Sequence, residues 1–204
     1  MGLAKRSAAG FRSWHRTLRE RYLRPYVFIH INKTGGSSIE KALGIGLDHS
    51  TALEKYRQLG ATAWGRKFTF TIVRNPWDKV VSHYHYRVRT NQTGLGDQRT
   101  PFDEWLQRCY VDKDPRYYDQ PRMFMPQRQW LIDDGGELLV EFIGRFENLA
   151  EDFERICQRL SVTAELGHAK PSGRGSYRDY YTDDARKLVG EVFAEDIELF
   201  GYEF

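Results

Sequence analysis

Residues 26–43 read YVFIHINKTGGSSIEKAL. The first six are apolar, β-branched or aromatic except for His30, the composition of a short buried strand. Gly35 and Gly36 mark a tight turn that a backbone without Cβ atoms takes freely. Ser37 or Ser38 then offers a helix N-cap, with good helix formers behind it. A strand passing through a glycine loop into a helix leaves several backbone N–H groups pointing one way. That is a cradle for a phosphate, and Lys33 sets a cation beside it. The order of residues is not that of a Walker A loop, in which the lysine follows the glycines.

A second stretch repeats the plan. FTFTIVRNPWDKVVSHYHY, residues 68–86, gives a strand over 68–73 and a helix opening at Pro76, where a missing N–H is tolerated. Val80, Val81, Tyr84 and Val88 recur at helical spacing and are expected to face the core. Arg74 then lies at the C-terminal end of a strand, where open α/β sheets place ligand-binding groups. Ser82 follows eight residues on. Arginine and serine at this spacing can converge on one phosphate, one through a charged fork and the other through a hydroxyl.

The pair HINKTGGSS and VRNPWDKVVSHY resembles the two cofactor signatures of sulfotransferases that use 3′-phosphoadenosine 5′-phosphosulfate (PAPS). The likeness is closest to the carbohydrate sulfotransferase group and its soluble bacterial relatives. RFENLAEDF and the C-terminal run from Tyr177 also look like this group, so the resemblance covers about residues 25–204. It implies that Lys33, Thr34, Gly35, Gly36, Ser37 and Ser38 hold the 5′-phosphosulfate. It also implies that Arg74 and Ser82 hold the 3′-phosphate. Asn32 departs from the proline often found before the lysine, which is expected to alter loop stiffness rather than chemistry. The expected fold is α/β: one P-loop-like, three-layer domain with a central parallel sheet flanked by helices.

The rest of the chain fits one such domain over residues 25–204. At 204 residues and 24.0 kDa, 40% hydrophobic and 14% aromatic, it is long enough for a sizeable core and too apolar for a disordered chain. No apolar run approaches the roughly 20 residues that span a bilayer, and the N-terminus lacks a signal-peptide pattern. A soluble, cytoplasmic protein is expected, with Cys109 and Cys157 reduced. Residues 1–24 carry seven Lys and Arg against one Glu, a net +6 in a chain of +3. This basic arm suits a frayed terminus, an oligomer contact or attachment at the surface of an anionic membrane. No motif points to nucleic acid.

A general base is sought among the histidines, because an imidazole takes a proton near neutral pH. His49 lies between the two cofactor motifs, where related carbohydrate sulfotransferases carry their base, and is the first candidate. His85, on the same helix face as Ser82, is the second. His83 and His85 are two apart on one helix, a poor metal chelate, and no CxxC is present, so no metal is called for. Residues 46–67 read as a turn and a helix. Residues 100–129 open with Phe102, Trp105 and Leu106 at helical spacing, then mix aromatics with Arg108, Lys113, Arg116 and Arg122, and are the expected acceptor-binding region, for a carbohydrate or other small molecule. Residues 137–146 read as a central parallel strand. The helix after it, over 150–160, buries Phe153, Ile156, Cys157 and Leu160. Residues 170–178 suit a flap over the cofactor, with Arg174 as its phosphate contact. The last helix opens at Thr182.

The expected chemistry is transfer of a sulfonate to a hydroxyl or amine, with Lys33 neutralising charge on the departing oxygen and His49 or His85 accepting the proton. Two other classes share the strand–loop–helix. One is a P-loop kinase or NTPase, for which Glu141 is the nearest Mg²⁺ ligand; the other is a non-catalytic module that binds a nucleotide or an anionic glycan.

Overall fold

Alternation along the first strand sets the layers. In the computed structural model, which describes residues 20–167 and 175–204, β1 (Tyr26–Ile29) turns Tyr26 and Phe28 to one side and Val27 and Ile29 to the other. It pairs in parallel with β2 (Phe68–Val73), and β2 pairs in parallel with β3 (Phe142–Arg145). Among the described residues the sheet has three strands in the order β1-β2-β3. Parallel neighbours need crossovers, and helices supply them. Between β1 and β2 run α1 (Gly36–Ala42), α2 (Ala52–Leu59) and α3 (Ala61–Trp64). Between β2 and β3 run α4 (Pro76–Arg89), α5 (Phe102–Leu106) and a series of short turns. After β3 come α6 (Leu149–Leu160), α7 (Asp183–Val192) and α8 (Ala194–Phe200).

Apolar residues fill both faces. Phe28, Phe70 and Ile72 pack with Ile39 of α1 and with Phe153 and Ile156 of α6. Val27, Ile29 and Val73 pack on the opposite side with Ala52 and Leu59 of α2, Trp130 and Phe200. A third cluster joins α4, α5 and α7 through Trp77, Val81, Tyr84, Trp105 and Val189. The α/β, three-layer expectation therefore holds.

Several local expectations change. Helix α1 opens at Gly36, capped by Gly35 in the left-handed region (φ 86°), and not at Ser37 or Ser38. The turn needs a positive φ that glycine adopts without strain, so the helix starts earlier and both serines sit in its first turn. Residues 46–67 form two helices, broken at Gly60 (φ 81°), the first opened by a Thr51–Glu54 capping box. The apolar run 137–146 pairs as a strand only over Phe142–Arg145 and lies beside β2 at an edge of the described sheet. Its first half is drawn away into an antiparallel bridge between Leu138 and Ile132. Thr182 does cap α7 through Ala185 N, but the final helix divides at Phe193.

Of the arm over 1–24, residues 1–19 lie outside the described residues. Its end is held down: Glu20 is buried against Lys55, and Lys67 donates to the Arg24 carbonyl. Cys109 and Cys157 are free, buried, and belong to different clusters. No helix among the described residues is long and apolar enough to cross a membrane.

One buried amide ties the sheet to the elements around it. Gln127, fully buried, accepts from Arg74 N (2.9 Å) and donates to Arg74 O (2.8 Å), continuing the hydrogen bonding of β2 one residue past the strand. Its own N–H donates to Asp196 of α8 at 2.7 Å. Gln127→Met keeps the shape and removes both side-chain hydrogen bonds to the Arg74 backbone. Urea unfolding should show a loss of about 2–4 kcal/mol, since each orphaned buried group costs about 1–3 kcal/mol.

Candidate active site

The C-terminal ends of the strands meet at one cavity of about 590 Å³, within the range that holds a nucleotide-sized ligand. Its wall includes Lys33, Gly35, Gly36, Ser37, Ser38, His49, Arg74 and Ser82. The two stretches picked out in the sequence, residues 26–43 and 68–86, thus face each other across a single space.

The first wall is the loop between β1 and α1. Lys33 adopts a positive φ of 67°, uncommon for a side-chain-bearing residue, and its Nζ lies 4.2 Å from the centroid of the Tyr86 ring. A Cβ at Gly36 would lie 2.1 Å from the His30 ring, and one at Gly35 would lie 2.9 Å from Leu149 Cδ2. Glycine is required at both places by close approach. His30, buried, is fixed by Glu40, whose Oε1 lies 2.9 Å from His30 Nδ1. The Thr34 hydroxyl does not reach the cavity. It is fully buried and donates to Ile31 O at 2.9 Å, so its part is to hold the loop.

The second wall follows β2. Asn75 caps α4 by accepting from Trp77 N and Asp78 N. Arg74 spreads its guanidinium over the Phe146 ring at 3.8 Å, gives Nε and Nη2 to Asp78 Oδ2 (2.9 and 2.7 Å), and gives Nη1 to Lys33 O (2.9 Å). These bonds fix the plane of the guanidinium. The last bond joins the two stretches directly. Phe146 packs under Gly35 as well, which gives the RFENL run after β3 its place beneath the site. Glu147 next to it accepts from Asn75 N at 2.7 Å.

The histidines separate by environment. His49 lies on the cavity wall, with Nδ1 2.9 Å from the His30 carbonyl oxygen. A carbonyl only accepts, so Nδ1 carries the proton and Nε2 keeps its lone pair. Burial lowers the His49 pKa, with the His30 carbonyl opposing. Arg122 holds the same residue from behind by donating to His49 O at 2.9 Å. His85, the second candidate base, is not among the residues of the wall and packs edge-on against Tyr180 at 5.0 Å. Arg174 and the flap residues 170–174 lie outside the described residues.

Residues 100–129 contribute less to the site than expected. Trp105, Phe102 and Phe124 are buried in the core, Arg108 and Arg116 pair with nearby acids, and only Gln120 and Met123 line the cavity. The wall also holds residues the sequence did not assign to the site: Tyr86, Arg89 and His83 on α4, Gln92 just beyond it, and Asn32. The side chain of Asn32 donates to Met123 O at 3.0 Å, so its effect goes beyond loop stiffness and anchors residues 120–124 to the lysine loop. Glu141 lies away from the cavity and pairs with Arg159. No carboxylate is among the described lining residues, whereas Lys33, Arg74 and Arg89 are.

Residues 24–203 match the Sulfotransferase family. An uncharacterized protein of Archaeoglobus fulgidus is 27% identical over 110 residues, which are 53% of this chain and 80% of that protein. The donor set fits the donor molecule of such enzymes: cations and hydroxyls without carboxylates suit three anionic groups, and the glycine contacts leave the backbone open where a Cβ would intrude. Gly36→Ala should displace His30 and with it the loop. Calorimetry should show affinity for adenosine 3′,5′-bisphosphate falling at least about 10-fold, as misplacement near 1 Å does in such sites. With only residues 1–23 and Phe204 outside the matched span, the chain belongs to the Sulfotransferase family and is a sulfotransferase, an enzyme that transfers a sulfonate group.

Proposed function

We propose that this enzyme moves the sulfonate of PAPS to a hydroxyl, or an amine, of a carbohydrate or similar small acceptor. The observation that carries the reading is the joining of both motifs on one cavity, with Arg74 bonded to the Lys33 carbonyl. Bound PAPS supplies a sulfonate activated by its link to the 5′-phosphate. Lys33, with Ser37, Ser38 and the N–H groups of the glycine turn, binds the 5′ side and offsets the charge that grows on the bridging oxygen. Arg74 and Ser82 bind the 3′-phosphate, and pairing with Asp78 presets the guanidinium plane.

His49 takes the acceptor's proton at Nε2, the nitrogen its carbonyl contact leaves unprotonated. Gln92, Gln120 and the Tyr86 ring suit a hydroxyl-rich acceptor, since amides both donate and accept and a ring stacks on a sugar face. In this proposal positioning and fixed charge do the catalysis. Sulfotransferase family membership sets aside the kinase and non-catalytic alternatives.

Two experiments test these roles. Lys33→Ala should lower the transfer rate by about 10²–10³, and weaken bisphosphate binding less, if its charge serves mainly the departing oxygen. Unchanged transfer would remove that role. A protonated His49 cannot accept a proton, and its lowered pKa keeps it neutral to more acid pH. The rate should therefore rise with pH through one ionisation below 6.5 and then level off. His49→Gln should remove that limb and cost about 10²–10⁴ in kcat. An unaltered pH profile in the variant would place the base elsewhere.

A further inference from the structure

The cavity wall holds a second imidazole that the reaction above does not use. His83 follows Ser82 on α4, in a column with Lys79 and Arg87 one turn to either side. All three are buried, at 4%, 1% and 0% exposed for His83, Lys79 and Arg87. Arg87 has its counterion, Asp119, at 2.8 Å, and Lys79 feels the field of Asp196. The surroundings of His83 are different. Its ring packs edge-on to Trp105 at 5.9 Å and tilted on Phe124 at 4.8 Å. Burial, then the charges of Lys79, Arg87 and Lys33, hold its pKa well below the ordinary imidazole value. The ring is neutral wherever His49 is active.

A buried neutral imidazole still carries two polar nitrogens. Nδ1 is enclosed and has no hydrogen-bond partner among the described residues. An enclosed N–H without an acceptor is rarer in folded proteins than an under-used acceptor, so the proton belongs on Nε2. With Nδ1 sealed in and the ring forming part of the cavity wall, Nε2–H is the edge left to meet a ligand. Its neighbours on that wall are Ser82 and Lys33, and the described lining holds no carboxylate for it to serve.

We propose that His83 is a further catalytic residue, donating its Nε2–H to an oxygen of the sulfonate being transferred and holding that group against Lys33. The proposal rests on the reading of this cavity as the PAPS site. Its physical sense lies in the column of cations. A third charge between Lys79 and Arg87 would be repelled by both, whereas a neutral donor supplies a hydrogen bond to an anionic oxygen without adding charge. The acceptor's hydroxyl needs a proton acceptor instead, which is the part of His49.

The test compares two nucleotides that differ in the sulfonate, PAPS and adenosine 3′,5′-bisphosphate. Each is titrated into the full chain by calorimetry without an acceptor. His83→Leu and His83→Asn remove a donor at the Nε2 position, and His83→Gln restores one. The first two should bind PAPS about 10-fold more weakly, the size expected for one hydrogen bond to a charged group, with bisphosphate affinity unchanged. His83→Gln should recover most of the PAPS affinity. Unchanged bisphosphate binding also reports that each variant is folded. Equal weakening for both nucleotides in all three variants would make His83 structural and overturn the proposal. So would unchanged PAPS affinity with a raised acceptor KM, which would assign the ring to the acceptor. Failure of the unaltered protein to bind the bisphosphate would instead overturn the cavity reading itself.

Discussion

The site depends on how Arg74 is held. Its guanidinium is the point where the ends of the strands are tied together: Asp78 fixes it from α4, the Lys33 carbonyl fixes it from the β1 loop, and Phe146 supports it from the turn after β3. Its backbone is held as firmly, by Gln127 on both sides of the residue. Gln127 in turn is fixed by Asp196 of α8. An ion pair this enclosed, with side chains 8% and 16% exposed, is strongly destabilised by removing one partner, at about 3–5 kcal/mol. Under the proposed function the arrangement answers a physical problem: a loop that offers donors to anions cannot satisfy them internally, so its rigidity has to come from behind.

The same logic explains the C-terminal part of the chain. Glu147 accepts from Asn75 N, Tyr202 donates to Glu147, and Asn75 donates to Glu203 O. The RFENL run and the final residues therefore brace the turn that aims Arg74, and do not themselves line the cavity apart from Phe146. On α4 the buried cations Lys79 and Arg87 add to a positive field at the base of a cavity whose described lining has no acid. Binding of a polyanion offsets that field, which makes the site costly to leave without one.

Local patterns in the sequence carried most of the fold. The strand–glycine–helix of residues 26–43 and the strand–Pro76–helix of residues 68–89 made β1, α1, β2 and α4 legible, because periodicity and turn chemistry act over a few residues. The cavity residues in those motifs were legible for the same reason. What escaped was long-range pairing. Nothing near Gln127 announces that it completes β2, and nothing near Arg122 announces that it holds His49 O. Aromatics serve cores and ligands alike, so residues 100–129 could be read as either; packing against α4 and α7 decides, and Phe102 and Trp105 are core. Thr34, which holds the loop, and His85, which packs on Tyr180, lie one step around a turn or a helix from residues of the cavity wall. A one-residue change of angle separates a cavity-facing side chain from one that holds the scaffold.

The central claim is that two phosphate-binding walls converge on one nucleotide, and the most direct measurement of it is calorimetric titration of the unaltered protein with three nucleotides. These are adenosine 3′,5′-bisphosphate, adenosine 5′-phosphate and Mg²⁺-ATP. The account predicts one tight site for the bisphosphate, clearly weaker binding when the 3′-phosphate is missing, and little binding of Mg²⁺-ATP. Equal affinity for the bisphosphate and the 5′-phosphate, or a preference for Mg²⁺-ATP, would contradict it.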